Sequence, residues 1–196
     1  MKIDTESYKI DEINYNKIKS KKKQIVLSSS LRRGNNHLIR LEHKEFGKTK
    51  RWNTYTITRD GVIYEHYDPI YSSNFLNIEN IDKQSISVVL ENMGHLVKNN
   101  DIYINWINEE CEKELIAEKK WNIYQYWEVY TDKQIKSCVE LCKFLCDKFK
   151  IKNNLIEFSS YHKDIHKYNG IIYQSNCIEN SDDVNPFLEI KFNQLK

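Results

Sequence analysis

The chain has 196 residues, 40% of them hydrophobic and 30% charged, with a formal net charge of +2. That length supports one domain with a substantial core, and that balance excludes a disordered chain. The charge is too mild to mark a nucleic-acid binder, and no apolar run reaches membrane-spanning length.

Five glycines and two prolines leave little room for long flexible linkers. The opening Met1-Lys2-Ile3-Asp4-Thr5-Glu6-Ser7 lacks the apolar stretch of a secretory signal. The expected location is therefore a cytoplasm, unless lysis or an assembled particle carries the protein out. Cys111, Cys138, Cys142, Cys146 and Cys177 are odd in number and lack the spacing of a small disulfide scaffold, so they read as reduced thiols.

In chain order, residues 1–23 are polar and end in a basic run at 17–23, which reads as a solvated lead-in. Gln24-Ile25-Val26-Leu27 is an apolar strand closed by Ser28-Ser29-Ser30. A helix is predicted over 37–46, capped by Asn36 and ended by Gly47. Residues 54–58 and 62–66 form two strands about the turn Arg59-Asp60-Gly61, with His66 on the surface beside Asp68. A polar loop spans 68–84. Residues 86–90 are apolar and β-branched, the pattern of a central strand covered on both faces.

Residues 102–107 alternate like part of an extra hairpin, and 109–120 read as a short helix. Trp121, Tyr124, Tyr126 and Trp127 read either as a sugar platform or as packing of an insertion. The clearest helix runs from Thr131 to Phe149, with Thr131 and Gln134 as a capping box and Cys138, Cys142 and Cys146 in its buried stripe. Gly170-Ile171-Ile172-Tyr173 reads as a short strand or turn, followed by a loop to Asp183-Val184-Asn185-Pro186.

The segments at 24–30, 55–64, 85–92 and 183–186 resemble, in this order, the zinc-dependent N-acetylmuramoyl-L-alanine amidases. These share their fold with phage lysozyme-amidases and peptidoglycan recognition proteins. The resemblance covers about residues 24–190 and implies an α/β fold with a mixed central β-sheet flanked by helices. It implies a single domain over 24–196, preceded by a polar arm at 1–23 and interrupted by an insertion at about 95–130, as in phage-encoded relatives.

Such amidases hold zinc with two histidines and an aspartate or cysteine, leaving an open position for water. By resemblance the first histidine position falls on Ser28, the second in the window 172–177 around Ser175, and the third on Asp183. Serine hydroxyls are weak zinc donors, so Ser28, Ser175 and Asp183 read as vestigial positions and no metal is expected. Cys177 is the alternative ligand. The glutamate that some members carry on the central strand falls on Val89. Glu91, two residues on, reads either as a displaced catalytic acid or base or as a strand-end carboxylate tied to a backbone donor. His162 and His166 have the spacing of a paired-histidine site, but Tyr161 and Asn169-Gly170 place them in a loop.

The ligand-binding cleft is accordingly expected around Ser28, Tyr55, Ser175 and Asn176. The resemblance then implies an amidase fold without cleavage. Such a protein binds peptidoglycan or muropeptide, or takes a structural part in a phage particle beside other virion proteins or copies of itself. The alternative is an active peptidoglycan amidase with a rearranged zinc site.

Overall fold

The computed structural model describes residues 1–32, 38, 51–157, 161–181 and 185–194. Two sheets dominate it. The larger contains β1 (Ile3–Asp4), β2 (Gln24–Ser29), β3 (Tyr55–Ile57), β4 (Ile63–Glu65), β5 (Ser85–Leu90) and β11 (Gly170–Tyr173), in the order β1-β4-β3-β5-β2-β11. β3 and β4 are antiparallel and every other pairing is parallel, so this is a mixed sheet flanked by helices. β2 and β5 are central, and every residue of both is buried. Their continuous apolar runs suit strands covered on both faces.

Alternation along these strands builds two cores. Ile25 and Leu27 of β2, Tyr55 and Ile57 of β3 and Ile86, Val88 and Leu90 of β5 face the long helix α2 (Asp132–Phe149). That helix presents Ile135, Cys138, Val139, Leu141, Cys142, Leu145 and Cys146, so its cysteines act as small apolar side chains. Val26 and Ile172 face the other way, onto Leu76, Ile81, Ile165 and Cys177. Leu76 and Ile81 come from the 66–84 segment, which holds the one-turn helix α1 (Glu79–Asp82). The C-terminal helix α4 (Phe187–Gln194) adds Leu188 and Phe192 to the α2 side.

The capping box at the start of α2 is half formed. Thr131 Oγ1 accepts from Gln134 N at 3.1 Å. The Gln134 side chain reaches away from the cap and donates to Ile57 O and Glu91 O, tying the helix to two strand ends.

The 95–128 segment is a second sheet, antiparallel, in the order β8-β7-β6-β10-β9. Its strands are β6 (His95–Asn99), β7 (Ile102–Ile104), β8 (Glu110–Cys111), β9 (Ile116–Trp121) and β10 (Tyr124–Glu128). The helix predicted over 109–120 is replaced by β8, a 3-10 turn at Lys113–Leu115 and β9. Pairing of β9 with β10 overrides the helix preference of its Ala, Glu and Lys residues. The four aromatics do not form one platform. Trp127 is fully buried and donates to Lys119 O, Tyr124 stacks on His95 at 3.7 Å, and Tyr126 meets Tyr103 edge-on.

Residues 1–23 pack against the rest of the protein. β1 pairs with β4, and Ile10 and Tyr15 are buried with Leu38, Trp52 and Tyr67. Within the basic run Lys22 is buried, and its ammonium donates to Tyr71 O at 2.6 Å and Lys83 O at 3.2 Å. Burial pushes that ammonium down to about 8. Apart from Leu38, the helix predicted over 37–46 lies outside the described residues. No described helix is long and apolar enough to cross a membrane.

The β3–β4 turn depends on Gly61, held at φ +87°. A Cβ there would stand 2.9 Å from Lys133 O, against the first turn of α2. Gly61→Ala is expected to destabilise the protein by at least about 1–2 kcal/mol, from the left-handed backbone alone. Urea unfolding checks this; an unchanged midpoint would show that the turn can re-form with negative φ.

Candidate functional site at the strand tips

β2, β5 and β11 run parallel, so their C-terminal ends lie at one end of the sheet. Ser28 stands opposite Val89, and Tyr173 opposite Leu27, which brings the turn after β11 level with Ser28. That turn is the short helix α3 (Gln174–Cys177). The fold therefore brings Ser28, Glu91, Ser175, Asn176 and Cys177 to one edge of the molecule. Asp183 lies outside the described residues.

Each of these side chains has defined surroundings. Ser28 is 1% exposed, on the same face as Val26. Its neighbour Ser29 points to the α2 side and shares a 2.6 Å hydrogen bond with the Tyr130 hydroxyl. Asn176 Oδ1 accepts from Tyr173 N at 2.8 Å, which fixes the strand-to-helix turn. Cys177 is buried; its thiol donates to Tyr173 O, and burial pushes it up to about 12. Ser175, itself buried, lines a depression of about 240 Å³ with Trp121, Tyr161 and Glu179. Tyr55 lies away from this edge: it is fully buried under α2, and its hydroxyl donates to Glu65 at 2.6 Å. Strand alternation sends it to the face opposite Ser28.

Glu91 is 5% exposed. Its Oε2 accepts from Arg59 N at 3.0 Å, while Oε1 is buried without a hydrogen-bond partner among the described residues. Burial raises the carboxyl above the usual range, and the Arg59 amide and guanidinium oppose that rise.

Behind Glu91 lies a polar network that sequence reasoning missed. Arg59 Nη1 is 3.0 Å from Glu128 Oε1, and the Glu128 side chain is fully buried. Glu128 Oε2 accepts from Met93 N at 2.7 Å. The amides of Asn92 and Asn185 both donate to Glu128 O, and Asn185 Oδ1 caps α4 by accepting from Phe187 N. Only Arg59 carried a sequence signal, as part of the turn motif; Glu128 sat inside an apparently aromatic insertion. His66 was misread as a surface residue. It is 0% exposed, between Thr56 Oγ1 at 2.8 Å and Tyr8 O at 2.8 Å. A carbonyl only accepts, so Nδ1 carries the proton and Nε2 accepts from Thr56.

A mixed sheet with one long helix across one face, a capped loop layer across the other and polar side chains at the parallel strand tips is the architecture of an amidase domain. Residues 19–176 match the family model Amidase_2, N-acetylmuramoyl-L-alanine amidase. The chain belongs to the N-acetylmuramoyl-L-alanine amidase family. Solved structures of similar fold include N-acetylmuramoyl-L-alanine amidase LysC from Clostridium intestinale URNW, with 15% identity, 99% of this chain and 97% of that chain covered, and a TM-score of 0.53. The PlyG catalytic domain is 10% identical, with 100% of this chain and 91% of that chain covered and a TM-score of 0.56. The XlyA catalytic domain is also 10% identical, with both chains covered over 100% and a TM-score of 0.55. Likeness at these identities shows the fold. No curated protein sequence matches the chain.

The described donors do not fit a zinc centre. At the strand tips stand the hydroxyls of Ser28 and Ser175, the amides of Gln174 and Asn176, and a buried thiol at Cys177 that donates to Tyr173 O. Neutral hydroxyls and amides are poor zinc ligands, and Cys177 alone would supply a single ligand. Among the described residues, no three His, Cys, Asp or Glu side chains are grouped to hold a metal ion.

Proposed function

We propose that this protein keeps the amidase fold without amidase chemistry. In this reading it binds peptidoglycan or a muropeptide at the strand tips, as a component of a phage particle or of the infected host cytoplasm. The observation that carries the reading is Ser28. The fold brings a small hydroxyl to the tip of β2, where the family resemblance places a histidine, and the turn beside it carries amides, a second hydroxyl and a buried thiol. Such groups hydrogen-bond the amides and hydroxyls of a glycopeptide and leave water unactivated. Family membership supports peptidoglycan as the polymer recognised.

Purified protein is expected to sediment with isolated cell walls, to contain less than stoichiometric zinc, and to release no L-alanine-terminated peptides. Ser28→His alone is expected to leave cleavage absent, because the turn at 174–177 still lacks an imidazole. One equivalent of tightly held zinc together with peptide release would overturn the reading in favour of a rearranged active amidase. Failure to bind walls would leave no peptidoglycan role at all.

A further inference from the structure

At the end of β2 and β5 opposite Ser28, beside Ser20 and Lys83, is a cavity of about 430 Å³. It lies between the 16–20 segment and the loop at 72–83. Its walls are tied together. Asn16 N donates to Ser72 O at 2.7 Å, Ser20 N to Ile70 O at 3.2 Å, and the Ser20 hydroxyl to Lys83 O.

The charged groups around it are already engaged. Both Asp82 oxygens accept backbone amides, from Leu76 and Ile78, each at 2.9 Å. Glu79 and Lys83 pair with each other. What faces the space is neutral: the amides of Asn16 and Asn74, bonded to each other at 3.0 Å, then the Asn77 amide and the Ser72 hydroxyl. Neither the Asn77 side chain nor Ser72 Oγ makes a hydrogen bond to the described residues. Ile18, 73% exposed, adds an apolar wall.

We propose that this cavity is a second binding site, for a neutral pyranose sugar of mono- or disaccharide size. Side-chain amides and a hydroxyl both donate and accept, which matches ring hydroxyls and an N-acetyl group. Ile18 gives an apolar surface for a ring face. Compensated charge at Asp82, Glu79 and Lys83 disfavours phosphate and metal cations. The volume falls within the range of small-molecule sites, roughly 300–1,000 Å³. This proposal does not depend on the reading of the strand tips.

The test is amide NMR on the ¹⁵N-labelled full chain, titrated separately with N-acetylglucosamine, glucose and inorganic phosphate. Asn77 has φ +59°, so Asn77→Gly removes the amide while keeping a backbone that glycine adopts freely. The expected result is saturable millimolar shifts at residues 16–20 and 72–83 with sugar, weakened about tenfold in Asn77→Gly, with none from phosphate. A preference for N-acetylglucosamine over glucose would identify the source as amino-sugar polymer; equal binding would indicate a general hexose site. Shifts absent, confined to the strand tips, stronger with phosphate, or unchanged in a folded Asn77→Gly protein would each overturn the proposal. Wall binding at the strand tips is read at different residues, so the two ideas fail separately.

Discussion

Arg59→Ala is expected to lower the unfolding free energy by about 3–5 kcal/mol, the usual loss when one partner of a buried ion pair is removed. Glu128 is fully buried, and its Oε1 faces Arg59 Nη1 at 3.0 Å. Without the guanidinium, that carboxylate keeps the Met93 amide on Oε2 but loses its countercharge. Arg59 Nη1 also donates to Val129 O at 3.3 Å, so the segment just after β10 loses its tie to the β3–β4 turn. The Arg59 amide still reaches Glu91, because alanine retains that backbone donor. Glu128→Gln in the Arg59→Ala background is expected to restore part of the loss, since a neutral amide needs no countercharge. Urea unfolding at constant m-value measures both. A loss below about 1 kcal/mol would place the pair among weak, solvent-screened contacts.

The second large effect is a pH dependence centred on His66. Burial holds its imidazole down to about 4, against 6.5 in the unfolded chain. Above pH 6.5 both states are neutral there and the full contribution is present. As pH falls from 6.5 towards 4, the unfolded chain takes up a proton that the folded protein refuses, so stability declines across that window. Below about 4 both states are protonated and the decline stops. The depression corresponds to a loss on the order of 3 kcal/mol. Asp82 acts in the opposite sense: burial pushes it up to about 6, so the folded protein gains protons first as pH falls. The His66 contribution is therefore read from the difference between wild type and His66→Asn. Wild type is expected to lead at pH 7 and to lose most of that lead by pH 4. A constant gap across the range would show that the imidazole is charged or hydrated in the folded state.

These two effects reside in residues that sequence reading treated as a turn arginine and a surface histidine. Neither has a local pattern that reveals its burial. His66 follows a strand of three residues whose last two are only half-buried, and it is enclosed by Thr56 ten residues earlier and Tyr8 far upstream. Glu128 ends a strand whose aromatic neighbours read either as a sugar platform or as packing of an insertion. Its burial comes from Asn92, Met93 and Asn185, all distant in sequence. The helix expected over 109–120 failed for the same reason, because β9 exists through its pairing with β10.

What the sequence determined by itself was whatever local periodicity and turn chemistry encode. It determined β2 and β5 as apolar runs, the Asp-Gly turn between β3 and β4, the cysteine stripe of α2 and, through their order, the amidase family. Only the tertiary structure decided which polar groups became buried partners. It sent Tyr55 under α2 while Ser28 took the opposite face, joined Arg59 to Glu128, and opened the cavity between the 16–20 and 72–83 segments. The physical reason is that hydrophobic period is a property of neighbouring residues, whereas desolvation of a charge or an amide depends on what distant segments place against it.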